Sequence, residues 1–256
     1  MRGTLIVTPA LNLPAVEAGT RLSPFDARDL NRVFPGDPAG TPTQVLAHYV
    51  SAVILERCDV VVDLHSGGAS LELLPYASMH RVPNVAQFRA TFDAMQAFGA
   101  PYGLVIEEIS GPGLLDYEAE RRGKLFLCPE IGGGGRLGAD TLSIAETGVR
   151  NVLAHLGMLS ESPMSLEARG LPPMELLDVP GPEYYYPAME SGIYESSIEL
   201  GDSVAAGQPL GRLHPLDMLR RPQTMLARQS GVALGRRSPG IAERGDCLAV
   251  LARPYV

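Results

Sequence analysis

Long apolar runs, an excess of positive charge and paired cysteines are all missing from this chain of 256 residues. No stretch approaches the ~18 apolar residues of a membrane span, so no membrane partner is expected. Met1 leads straight into Gly3-Thr4-Leu5-Ile6-Val7-Thr8 without the basic-then-apolar plan of a signal peptide. A net charge of −8 argues against nucleic acid as partner. Cys58, Cys128 and Cys247 are odd in number, widely separated and form no Cys-x-x-Cys pair. That usage favours buried thiols in a reducing compartment over disulfides or a thiolate zinc knot, and a cytoplasmic location is expected. Lysine is nearly absent: among 21 basic residues only Lys124 is a lysine. A negative protein that binds anionic substrates must concentrate positive charge locally, and here arginine has to supply it.

Hydrophobic residues make up 45% of the chain, enough for one large domain or a medium domain with a small one. Thr4 to Pro9, Val60 to Leu64, Leu104 to Glu108 and Lys124 to Cys128 read as short strands, Val60 to Leu64 as one buried on both faces. Thr43 to Arg57, with Thr43 as N-cap, Asn84 to Phe98 and Asp140 to Met158 read as helices. This alternation predicts an α/β fold, a mostly parallel sheet sandwiched by helices. Ligands in such sheets sit beyond the carboxyl ends of strands, where His65 and Glu130 fall. Residues 161–187 are Pro-, Glu- and Met-rich without a period and read as a linker. It joins an α/β catalytic domain (1–160) to a small all-β unit (188–256) in which Gly201-Asp202 recurs weakly as Gly245-Asp246.

Three segments carry the chemistry: Asp29-Leu30-Asn31-Arg32-Val33-Phe34-Pro35-Gly36, Asp63-Leu64-His65-Ser66-Gly67-Gly68, and Pro129-Glu130-Ile131 with Gly132 to Gly135. Arg offers a planar fork for a carboxylate and Asn a donor beside it. On residues alone Asn31-Arg32 could equally be a surface ion pair with Asp29 or Asp37. His65, after an apolar strand, is either a metal ligand or a cap on a turn; a ligand His needs its second ring nitrogen supported. Glu130, at a strand end before four glycines, has the setting of a general base, and the glycines would leave room for substrate. A phosphate cradle would need a Lys-Ser/Thr after the glycines, and Arg136-Leu137-Gly138 supplies none. Glu72, Glu107-Glu108 and Tyr184-Tyr185-Tyr186 are second-tier. His48, His80, His155 and His214 lack comparable settings.

These segments resemble the active site of the succinylglutamate desuccinylase/aspartoacylase family, zinc-dependent amidohydrolases related to the metallocarboxypeptidases. The resemblance runs from Gly3 to about Ala252, and the C-terminal unit is similar to the barrel-sandwich fold of biotinyl and lipoyl domains. That unit has no lysine for a covalently attached arm, which excludes a carrier function by that route. The resemblance implies zinc held by His65, Glu130 as base, Asn31 and Arg32 on the substrate carboxylate, and Arg21 polarising the scissile carbonyl, with Arg28 as its rival. The implied reaction is hydrolysis of the amide of a small N-acylated amino acid or related carboxylate, of deacylase, desuccinylase or deacetylase type. Homo-oligomers are compatible with it. The family draws its first two zinc ligands from a His-x-x-Glu motif, and none occurs in this chain. The α/β domain is therefore expected to be N-terminally incomplete, its start internal to a longer reading frame, and its zinc binding and catalysis impaired. The alternative is a non-catalytic carboxylate-binding protein derived from the same fold.

Overall fold

A computed structural model describes residues 1–107, 111–217 and 219–255. In chain order its helices are α1 (Leu13–Ala18), α2 (Pro42–Tyr49), α3 (Val85–Phe98), α4 (Leu115–Glu120) and α5 (Ala139–His155). The strands are β1 (Val60–Val62), β2 (Leu71–Leu73), β3 (Tyr76–His80), β4 (Tyr102–Ile106), β5 (Leu125–Glu130), β6 (Glu175–Asp178) and β7 (Tyr185–Pro187). They continue with β8 (Gly192–Ser196), β9 (Ser203–Val204), β10 (Pro209–Pro215), β11 (Gln223–Leu226), β12 (Gly231–Arg237), β13 (Ile241–Ala242) and β14 (Cys247–Pro254). The chain forms two compact units. The first takes Met1–Val62, Val82–Thr91 and the described part of Glu108–Phe126; the second takes Asp63–Arg81, Phe92–Glu107 and the residues from Leu127 on.

In the first unit α2 is held at its start by side chains from two directions. Pro42 at the first helical position has no N–H to satisfy. Gln44 Oε1 accepts from the Thr41 N–H and hydroxyl, both at 3.1 Å. Asp26 reaches in from an earlier turn, accepting from Thr43 N at 2.9 Å and Thr43 Oγ1 at 2.7 Å. The cap is thus Thr41, and Thr43 is buried inside the first turn. The helical pattern predicted to Arg57 continues past Tyr49 as a π turn and a 3₁₀ turn. The Phe34-Pro35-Gly36 turn packs so closely on α2 that a Cβ at Gly36, φ +84°, would lie 2.1 Å from His48 N. Only glycine fits there. Thr4 to Pro9, predicted as a strand, is not one. Leu5, Ile6 and Val7 are exposed and pair with no described strand. A β-branched run becomes a strand only when a neighbour takes its backbone hydrogen bonds.

In the second unit β5, β3, β4, β6, β14, β12 and β2 follow one another in a sheet, with β7 beside β14 and β9 beside β12. The pairs β3–β4 and β4–β6 are parallel, as the βαβ rhythm requires. β5 runs antiparallel to β3. Against this sheet the core gathers Leu104, Leu177, Tyr184, Tyr186, Leu234 and Leu251. Tyr184 and Tyr186 therefore pack, as weighed from sequence, and the Tyr186 hydroxyl accepts from Arg228 N at 2.9 Å. The expected α/β fold with a small all-β C-terminal unit is observed as an α/β fold in which β11, β10, β8 and β13 form a separate antiparallel sheet. Residues 161–187 carry β6 and β7, so this aperiodic stretch contributes to the main sheet. The eight-residue β14 pairs with β6, β7 and β12 in turn. The Gly-Asp repeat has a common geometry. Asp202 accepts from Glu199 N at 2.8 Å, and Asp246 from Glu243 N at 2.7 Å.

Burial pushes Asp26 up, but hydrogen bonds from Thr41, Thr43 and the Arg28 N–H outweigh it and hold the carboxyl at about 2, against an ordinary 3.8. The native state favours the ionised form. Its stabilising contribution is full above about pH 4 and is lost as pH falls through about 2. In Asp26→Asn the denaturation midpoint should lie below that of the parent at pH 6, and the gap should close towards pH 2. A gap constant across that range would remove Asp26 as an acid-sensitive cap of α2.

Candidate active site

His65 and Glu130 come together through backbone pairing. His65 N donates to Pro129 O at 2.8 Å and Ile131 N donates to His65 O at 2.9 Å, a parallel bridge between two chain segments. Along an extended chain residues two apart share a face. Asp63 thereby lies beside His65, and Cys128 beside Glu130. His65 Nε2 is 3.0 Å from Asp63 Oδ2, and its Nδ1 is 3.8 Å from Glu130 Oε1. The donor atoms of His65, Cys128 and Glu130 all lie within 4.8 Å of one another, and all three residues are half-buried. The Asp63 hydrogen bond, followed by that to Cys128, raises His65 to about 11. Burial pushes the Cys128 thiol up while His65 pulls it back.

The glycine loop after Glu130 has a structural task that differs from the expected one. Its backbone is stitched to residues 67–73: Gly67 N and Leu73 N donate to Gly132 O, Gly134 N to Leu71 O, and Gly135 N to Gly68 O. A Cβ at Gly133, φ +144°, would sit 2.1 Å from Leu71 O. The space left by this missing side chain is filled by the protein's own main chain. Glu72, next to this seam, is paired with Arg136 at 2.7 Å and Arg236 at 3.2 Å, the ion-paired role weighed for it above. Glu107 pairs with Arg81; Glu108 lies outside the described residues.

Arg21, Asn31 and Arg32 belong to the first unit, where Asp29 organises them. Its Oδ1 accepts from Asn31 N at 3.0 Å and its Oδ2 from Arg21 Nε at 2.8 Å. Asn31 Oδ1 accepts from Leu115 N at 2.8 Å, at the start of α4, so the amide oxygen is engaged and the NH₂ end is the one that can serve a ligand. The ion pair considered for Arg32 forms instead with Arg21. Arg32 folds its guanidinium back onto Asn31 O. His48 and His155 lie in helices and His214 pairs with Glu195 at 2.8 Å, so none of them joins His65.

Tetrahedral zinc takes Cys Sγ at ~2.3 Å, His N at ~2.0–2.1 Å and carboxylate O at ~2.0–2.2 Å, so its ligands stand roughly 3.4–3.6 Å apart. The His65 nitrogen fits that chemistry, and the Glu130 carboxylate stands 3.8 Å from it. His65 also has the carboxylate support that a ligand His needs. Cys128 was not singled out from sequence; its spacing of two from Glu130 within a strand was the available signal.

Residues 1–156 match the family described as succinylglutamate desuccinylase/aspartoacylase catalytic domain, and the chain belongs to that family. It is similar to the N-alpha-acetyl-L-2,4-diaminobutyric acid deacetylase of Halomonas elongata, 38% identical over 255 residues, which cover 98% of this chain and 73% of that protein. Among solved structures it is similar to the product-bound ectoine utilization protein EutE (DoeB) of Ruegeria pomeroyi. That match has TM-score 0.92 at 39% identity and covers 97% of this chain and 74% of the other. It is also similar to a succinylglutamate desuccinylase/aspartoacylase of Rhodobacter sphaeroides, with TM-score 0.91 at 36% identity over 97% of this chain and 74% of the other.

The seam can be tested without reference to catalysis. Gly133→Ala meets both a left-handed backbone and the Leu71 carbonyl, whereas a Cβ at Gly68, φ +61°, meets nothing within 4 Å. Gly68→Ala should cost about 1–2 kcal/mol from backbone strain alone, and Gly133→Ala distinctly more. Equal losses in chemical denaturation would show that the 65–73 and 129–135 segments are not tightly seated.

Proposed function

We propose that this protein is a zinc-dependent deacylase that hydrolyses the amide of a small N-acylated amino acid, with N-acetyl-2,4-diaminobutyrate as the first substrate to try. The observation that carries the reading is His65, gripped by Asp63 and 3.8 Å from the Glu130 carboxylate, in a chain 38% identical to a deacetylase. His65 is the residue that would hold zinc. The chemistry zinc supplies is Lewis acidity, which makes a bound water acidic enough to ionise near neutral pH and polarises a carbonyl. Glu130 takes the proton of the attacking water and delivers it to the leaving amine. Arg21 serves the developing oxyanion, and Asn31 with Arg32 holds the substrate carboxylate and fixes its register. The substrate is a small carboxylate.

One observation favours a second reading. Zinc sites of this type use three protein ligands, and the 256 residues contain no His-x-x-Glu, so a carboxylate-binding protein with impaired turnover is the competitor. Acetate release from N-acetyl-2,4-diaminobutyrate in the presence of zinc, measured beside calorimetric binding of the same compound, separates the two. Release supports the deacylase; binding without release supports the binder.

Two substitutions test the roles. Glu130→Gln keeps size and hydrogen-bonding capacity but cannot accept the water proton, and turnover should fall roughly 10²–10⁴-fold with zinc content and melting temperature unchanged. Retained turnover would sink the base role. Arg32→Lys keeps the charge and loses the planar fork, so substrate binding should weaken by about 2 kcal/mol, the size of a charge-assisted hydrogen bond. Unchanged affinity would take Arg32 out of the binding residues.

A further inference from the structure

We infer that Asp116 sets the substrate class of this site: it receives the ammonium of an N-acylated amino acid that carries a free amine as well as a carboxylate. The inference deepens the deacylase reading above and rests on its carboxylate-binding pair, Asn31 and Arg32. Three contacts tie residues 113–115 to that pair and its neighbours. Phe34 N donates to Gly113 O at 3.0 Å, an antiparallel bridge. A Cβ at Gly113, φ +109°, would lie 2.9 Å from Arg32 O. Leu115 N donates to Asn31 Oδ1 at 2.8 Å.

The next residue brings the acid. Asp116 Oδ1 accepts from Tyr117 N at 2.5 Å, which turns its carboxylate back towards the start of α4, where the Asn31 amide already sits. N–H groups two residues apart in an α-helix stand roughly 4–5 Å from each other. The oxygens held by Leu115 N and Tyr117 N are therefore neighbours, and the Asp116 carboxylate lies beside the Asn31 amide. Asn31 and Asp116 are half-buried, and Arg32 is exposed. A carboxylate has about four acceptor positions, so the bond to the Tyr117 N–H does not exhaust Asp116. Asp29 is engaged by Arg21 and by Asn31 N, and Glu118 is buried under Arg121 and Arg122; both serve the fold. In a 2,4-diamino acid the free amine lies a short carbon chain away from the carboxylate, a span of the same order as that between the two side chains. Asn31 and Arg32 donate to the carboxylate end, and Asp116 accepts from the ammonium end.

The test is calorimetric binding of two compounds to the purified chain with zinc present. One is Nα-acetyl-2,4-diaminobutyrate; the other is Nα-acetyl-2-aminobutyrate, the same skeleton without the free amine. The parent should bind the first at least about tenfold more tightly than the second, the size of one charge-assisted hydrogen bond. Asp116→Asn keeps an oxygen for the Tyr117 N–H, so its melting temperature should stay near the parent's. In that variant the two compounds should bind within about twofold of each other, with the second bound as tightly as by the parent. A loosened fold would instead weaken both alike and leave their ratio intact. A parent without the preference, or a preference that survives Asp116→Asn, overturns the inference. A parent that binds neither compound overturns it together with the Asn31–Arg32 pair. The two proposals otherwise fail separately. If acetate is released from the diamino compound but the two compounds bind equally, Asp116 is not the ammonium acceptor and the deacylase stands. If the preference is present and lost in Asp116→Asn while no acetate is released, the deacylase falls and the role of Asp116 stands.

Discussion

The candidate site depends on a ladder of backbone hydrogen bonds between residues 65–73 and 129–135. Side chains of His, Asp, Cys and Glu cannot gather in one half-buried place on their own account, because desolvating them costs more than their mutual contacts return. Here the main chain does the gathering. The His65–Glu130 bridge sets the register, and the Gly132 carbonyl receives two N–H groups at 3.0 and 3.2 Å. The glycines beyond Glu130 let the two strands of chain touch backbone to backbone, which any Cβ would prevent at Gly133. The positions of four chemically reactive side chains thus follow from backbone hydrogen bonds in which none of those side chains takes part.

The first unit solves a related problem with carboxylates. Asp26 accepts two hydrogen bonds at the start of α2, and Asp29 ties Asn31 and Arg21 to one point. Each acid satisfies N–H groups that a turn or helix end would otherwise leave unpaired. In Asp29 the same acid also fixes the arginine and asparagine proposed to serve the substrate. Folding residues and those proposed for recognition are therefore interleaved along Arg21 to Gly36, and the Phe-Pro-Gly turn that ends this stretch is pinned to α2 by the close approach of Gly36 to His48.

Much of this was legible in the sequence, for identifiable reasons. The helices α3 and α5 follow from amphipathic periods and clear boundaries; Asn84 caps α3 by accepting from Ala86 and Gln87 N–H groups. His65 and Glu130 were legible because strand ends and glycines mark them. The Thr4–Pro9 segment misled because β-propensity describes a residue's fit to a sheet without saying whether a neighbouring strand exists. The short α4 escaped because its start is set by Asn31, distant in sequence. Cys128 escaped because a thiol inside an apolar strand has the composition of a core residue, and only the third dimension shows a histidine against it. The Gly-Asp repeat was visible as a pattern, while its cause, an aspartate accepting the N–H three residues earlier, was not.

The contact between Asp63 and His65 has one more consequence, for where a single proton resides. A carboxylate can only accept, so when the imidazole, raised to about 11 here, gives up one proton, the hydrogen stays on Nε2 and the lone pair is left on Nδ1, on the side of Glu130. Asp63 thereby selects one of two tautomers that would otherwise be close in energy. An asparagine at that position could donate as well as accept, and its flip would admit the opposite tautomer with no change in the ring's location. The electronic direction of His65 is written in a residue two places before it.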